Sequence, residues 1–181
     1  GNFIDNYDGT NEDYSIVLAI GPYGMTEALW KTVGAGAANN GGWNNSGDLY
    51  GIDPTKTYRS VVWMMWNGVG AGDVYHGSDQ SNTCNVGTQT VNSNPYFTSG
   101  PISTIGLVAN KWYLAVGFLH GSSYTGAGSG LGGVYDPATG NTIAAGTDFN
   151  ILAGAPYQKQ RVYQYYANNA GCIVYFTKPR F

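Results

Sequence analysis

Carboxylates are the first residues to weigh for chemistry. Cleavage of a glycosidic bond ordinarily needs two of them across the scissile bond, one with a raised pKa. The only glutamates are Glu12 and Glu27. Most aspartates stand in turn contexts, such as Asp8-Gly9, Gly47-Asp48 and Asp136-Pro137, where an Asp side chain bonds its own backbone. Glu27 and Asp148 would pair only through tertiary proximity. The two histidines, His76 and His120, have no Ser or Cys elbow beside them. A polysaccharide lyase with a tyrosine as acid and His120 or Arg161 as neutraliser is chemically permitted, but no motif points to it. The chain reads as a binder and not as an enzyme.

A second cluster concerns metal. Asp5, Asp8, Glu12 and Asp13 crowd hard oxygen ligands around the Gly9 turn, as calcium prefers. Their spacing departs from the EF-hand alternation. The alternatives are a structural calcium site and a solvated loop.

Sugar recognition is the third possibility. Sugars offer CH faces to aromatic rings and hydroxyls to planar amide or guanidinium groups. The sequence supplies this mixture: Arg59 and Trp63 on one strand face, Arg161 with Tyr163 and Tyr165 on another, Tyr75 beside His76 in a loop after Trp66, and His120 near Tyr124. We therefore expect a ligand surface carried by Arg59, Trp63, Tyr75, His120, Arg161 and Tyr163. Each of these residues also has a structural reading. The arginines would then pair with Asp53, Asp136 or Asp148, Trp63 would fill a second packed layer, and the tyrosine hydroxyls would bond loops.

Composition narrows the classes. A chain of 181 residues suits one domain with a core of its own. Charged residues make up 10% against about 25% in an ordinary soluble domain. Gly (28) and Tyr (15) are in excess. Disordered chains lack aromatics and carry charge, so the composition argues against disorder. The net charge of −3 leaves no basic footprint for nucleic acid. No apolar run is long enough to span a membrane as a helix. Cys84 and Cys172 are the only cysteines. Two widely spaced thiols make a poor metal site, leaving one disulfide or two buried thiols.

These side chains need strands to position them. Helical periodicity is almost absent, and eight strand-like runs lie between Gly-, Asn- and Ser-rich turns. They are Ile16–Ile20, Thr26–Val33, Tyr58–Trp66, Val86–Val91, Trp112–His120, Gly133–Tyr135, Arg161–Ala167 and Cys172–Thr177. Such an order predicts an all-β sandwich of two antiparallel sheets, of jelly-roll type, over residues 1–181. In Trp112–His120 the large side chains Trp112, Leu114, Val116 and Phe118 share one face, which we expect to be the core face. Tyr58–Trp66 is apolar on both faces. Loops, a partner or a ligand must cover the side bearing Arg59 and Trp63.

Several segments also carry a resemblance. Gly21-Pro22-Tyr23-Gly24 leads to Glu27-Ala28-Leu29-Trp30-Lys31, and Gly41-Gly42-Trp43-Asn44 precedes Ile52-Asp53-Pro54 and Lys56-Thr57-Tyr58-Arg59-Ser60-Val61-Val62-Trp63. Asn94-Pro95-Tyr96-Phe97, Lys111-Trp112-Tyr113-Leu114, Gly133-Val134-Tyr135-Asp136 and Arg161-Val162-Tyr163-Gln164-Tyr165-Tyr166 follow in order. Across most of the chain this order resembles an uncharacterised domain family of phage tail-fibre-like and marine bacterial surface proteins. More distantly, Lys56-Thr57-Tyr58-Arg59-Ser60-Val61-Val62-Trp63 followed by the Trp112-Tyr113 strand is similar to galactose-binding-like carbohydrate-binding modules. The resemblance implies a jelly roll, a glycan or cell-surface polysaccharide as ligand, an extracellular or virion setting, a structural calcium in some members, and oligomerisation through a parent fibre. A family histidine before the Arg161 position is Gln160 here, so no role for that histidine carries over.

Overall fold

The structure, a computed structural model, describes residues 14–34, 39–44 and 50–181. The described residues form fifteen strands and one short helix. The chain starts with β1 (Tyr14–Ile20), β2 (Thr26–Val33), β3 (Asn39–Asn44), β4 (Tyr50–Gly51) and β5 (Tyr58–Trp66). Next come β6 (Asp73–Ser78), β7 (Thr83–Asn85), β8 (Tyr96–Pro101), α1 (Ile102–Ile105) and β9 (Trp112–His120). The chain continues through β10 (Gly133–Tyr135), β11 (Thr142–Ala145), β12 (Phe149–Ile151), β13 (Tyr157–Gln158), β14 (Gln160–Tyr165) and β15 (Ile173–Arg180).

Two sheets face each other. The larger runs β1-β2-β15-β5-β9-β10-β11, with β12 beside β9 and β7 beside β12; the smaller runs β3-β14-β6-β8. β4 and β13 make a separate two-stranded ribbon. Pairing is antiparallel except between β12 and β9. This is an all-β, two-sheet architecture, as the turn-separated apolar runs predict.

The inter-sheet core joins Trp30, Val62, Met64, Tyr113, Val174 and Phe176 of the large sheet to Trp43, Val74 and Val162 of the small one. Trp43 bridges the layers, its ring edge-on to Trp30 at 5.5 Å and to Phe176 at 5.7 Å between centroids. Such aromatic pairs add about 0.5–1.5 kcal/mol each beyond area burial. Polar groups also cross the interface. Thr32 Oγ1 donates to Gln164 Oε1 at 2.8 Å, and Ser60 Oγ lies 2.9 Å from His76 Nε2 and accepts from Gln160 Nε2 at 2.8 Å. A second cluster, Phe97, Leu119, Phe149 and Ile151, closes the end of the sandwich near β12.

The face of β9 is the reverse of the expected one. Tyr113, Ala115, Gly117 and Leu119 point into the sandwich and are buried, whereas Trp112, Leu114 and Phe118 lie half-buried outside. Val116 shares the outer face yet is only 7% exposed. The reason is room: a Cβ on Gly117 would sit 2.0 Å from the Phe97 ring. Small residues mark the side where the second sheet approaches closely, and side-chain size alone reads that side wrongly. In β5 the expected parity is seen, with Ser60, Val62 and Met64 buried and Arg59 exposed.

Two further expectations are corrected. Val86–Val91 is no strand: the pairing residues are Thr83–Asn85, and Val91 makes only an isolated bridge to Cys84. The chain turns between them at Gly87, whose φ is 74°. Tyr75 and His76 belong to β6 rather than to a loop. The cysteines are two free thiols, both fully buried.

Candidate functional site

The outer face of the small sheet is built from tyrosines. In β14, Val162 and Gln164 point into the core, so Arg161, Tyr163 and Tyr165 take the other face. Tyr163 stands directly opposite Tyr75 of β6, and their rings stack at 4.9 Å with an interplanar angle of 16°. Tyr96 of β8 meets Tyr75 edge-on at 4.9 Å and shares a hydroxyl–hydroxyl hydrogen bond with Tyr163. Tyr165 and Tyr166 continue the row, edge to face at 4.9 Å. With Asn94 these five rings line an open groove of about 300 Å³.

Gly77 makes this arrangement possible. It lies opposite Arg161 in the register, and a Cβ there would fall 2.8 Å from Tyr96 Cδ1. Without a side chain, β6 lets the Tyr96 ring lie across it. Tyr166 is placed by its backbone: φ is 52°, left-handed for a bulky residue, and the side chain is 59% exposed. Left-handed backbone at a residue other than Gly or Asn costs on the order of 1–2 kcal/mol, and such strain gathers at ligand sites.

Arg161 supports the groove from beneath. It is 2% exposed, with its guanidinium carbon 5.3 Å from the Tyr96 ring centroid and 5.8 Å from that of Tyr163. Its Nη2 donates to the Tyr96 hydroxyl at 3.4 Å. The negative ring faces help to compensate the buried cation. Tyr75 donates to Asp73 Oδ2 at 3.2 Å. Burial, and then the neighbouring Asp73 carboxylate, push the Tyr75 phenol above its ordinary pKa. It therefore stays protonated and acts as a donor, not as a base.

The six residues expected to share a surface divide among three places. Arg161, Tyr163 and Tyr75 meet at the groove. Arg59 and Trp63 lie on the outer face of the large sheet, with Arg59 exposed and Trp63 half-buried. The turn between β1 and β2 covers Trp63: the Tyr23 ring meets it edge-on at 5.6 Å. Lys178 in turn lies 5.3 Å from the Tyr23 ring centroid and pairs with Glu27. His120 lies at the end of β9, bonded to Asp148 Oδ2 at 2.9 Å and stacked on Tyr124 at 4.0 Å. Asp148 also accepts from the Ser129 amide, so this group anchors the Gly-rich 121–132 loop. Asp136 pairs with Lys111 and Asp53 accepts from Thr55. The calcium ligands considered above, Asp5, Asp8, Glu12 and Asp13, lie outside the described residues.

Tyr96, Tyr166 and Asn94 were not among the expected site residues. A signal for Tyr96 was present: Tyr96-Phe97-Thr98 is an aromatic, β-branched run ended by Gly100-Pro101, as strands often are. No protein family, no curated protein and no solved structure matches this chain.

Proposed function

We propose that this domain is a non-catalytic glycan-binding module of an extracellular fibre or adhesin-like protein, with its ligand in the tyrosine groove. The observation that carries the reading is the convergence of five tyrosines on one groove beside an amide: Tyr75, Tyr96, Tyr165 and the 3%-exposed Tyr163 from three strands, and Tyr166 from just past β14. Phenol faces suit sugar CH faces, while hydroxyls and an amide suit sugar hydroxyls. The resemblance to fibre-type surface proteins supports the setting.

A glycan array probed with the whole chain tests the proposal, with Tyr166→Asn as the control. Asn is at home in left-handed backbone, so the variant removes an exposed ring without disturbing the fold. Affinity for the array hit should fall about tenfold, within the range of hot-spot truncations, at an unchanged melting temperature. Binding that is indifferent to Tyr166→Asn and Tyr75→Ala would remove the groove from consideration. A flat array would favour the alternative of an assembly domain without a small ligand, and shortened oligosaccharide products would favour a polysaccharide-cleaving enzyme.

A further inference from the structure

We infer that the groove selects neutral glycans and discriminates against uronate- and sulfate-bearing ones; this rests on the groove being the glycan site. Its described lining residues, Tyr75, Asn94, Tyr96, Tyr163, Tyr165 and Tyr166, carry no charge. An acidic sugar buried against them needs a cation within direct hydrogen-bond reach, because a desolvated carboxylate or sulfate is costly unless paired. The cation nearest in the sheet is Arg161, and it is 2% exposed, lying against the Tyr96 and Tyr163 rings. It shapes the rings and does not present its guanidinium to the groove.

Among the described residues, a second charge bonded to this lining has the wrong sign for an acidic ligand. Asp73 accepts from the Tyr75 hydroxyl at 3.2 Å and is only half-buried, so a carboxylate stands one hydrogen bond from the groove lining and repels a second anion. It also occupies the Tyr75 proton, and Tyr96 and Tyr163 are bonded to each other. The Asn94 amide and the Tyr166 hydroxyl are neutral groups suited to hydroxyls and N-acetyl carbonyls. Discrimination here works through the unpaired charge the wrong ligand would have to bury.

The test measures binding of neutral, uronate-bearing and sulfated oligosaccharides of matched length to the whole chain, at low and high salt. Neutral ligands should bind about tenfold more tightly than acidic ones, with little dependence on salt. In Asp73→Asn, whose amide oxygen still accepts from Tyr75, the ratio of acidic to neutral affinity should rise several-fold. Preferential acidic binding that weakens with salt and with Tyr166→Asn would overturn neutral selectivity while leaving the groove as the glycan site. Absence of Tyr166-dependent binding to every class would overturn both the selectivity and the site.

Discussion

His76 is the residue whose burial has the clearest thermodynamic consequence. It is fully buried beside Ser60 and Gln160, and desolvation lowers its pKa to about 3. An unfolded histidine titrates near the ordinary 6.5. Between these values the unfolded chain binds the extra proton, so stability is complete above the unfolded pKa and is lost as pH falls below it. The slope is about 1.4 kcal/mol per pH unit, continuing down to the folded pKa. Urea unfolding of the native protein between neutral pH and pH ~5 should show a loss of about 2 kcal/mol that is absent in His76→Gln. Equal pH slopes in the two proteins would show that His76 is solvated. The sequence offered no sign of this role, because a lone histidine beside a tyrosine reads equally well as a surface contact.

At the scale of elements, β5, β9 and β2 were legible because they are long and apolar, and their bounds match the sequence runs residue for residue. β6 was not, and its inward residues explain why. Val74, His76 and Ser78 point to the core, and two of the three are polar because they meet Ser60 of the facing sheet and Gln160 and Gln158 from the neighbouring chain segment. A strand facing a polar layer loses the two-residue hydrophobic period that would announce it. The reversed face of β9 gives a prediction of its own. Gly117→Ala should destabilise by about 1–3 kcal/mol, the usual cost of overpacking, because the new methyl meets the Phe97 ring. Leu114→Ala, on the half-buried outer face, should leave the Phe97 packing and its near-ultraviolet signal intact. A Gly117→Ala protein of native stability would return the core to the even-numbered face.

For the whole molecule, no covalent bridge joins the two ends of the sandwich. Cys84 in β7 donates to Thr88 O at 3.1 Å, while Cys172, just before β15, accepts from Gln164 Nε2 at 3.0 Å. The two thiols occupy separate surroundings, and desolvation raises the pKa of each. Both should be nearly inert to a thiol reagent in the native protein, since the thiolate is the reactive form. Unfolding without reductant should release two equivalents; a count of zero would establish a disulfide. Stability must then come from packing, chiefly the layer around Trp43, Trp30 and Phe176. The covering of Trp63 by Tyr23 also belongs to this scale, since the turn between β1 and β2 folds back over the outer face of its own sheet.

The class of the fold was determined by the sequence alone. Apolar runs of strand length between Gly- and Asn-rich turns leave little room for helices, and low charge with many aromatics argues against disorder. The sequence also placed Arg161, Tyr163 and Tyr165 on one face, because a strand alternates its side chains whatever its neighbours. Only the tertiary structure decided which strands lie side by side. It set Tyr75 and Tyr96 against Tyr163, sent Arg59 and Trp63 to the opposite sheet and left His120 with Asp148. Alternation fixes the face a residue shares within its own strand, whereas strand order and register arise from contacts between segments far apart in the chain. A groove whose tyrosines come from three separate segments of the chain exists only once those contacts are made.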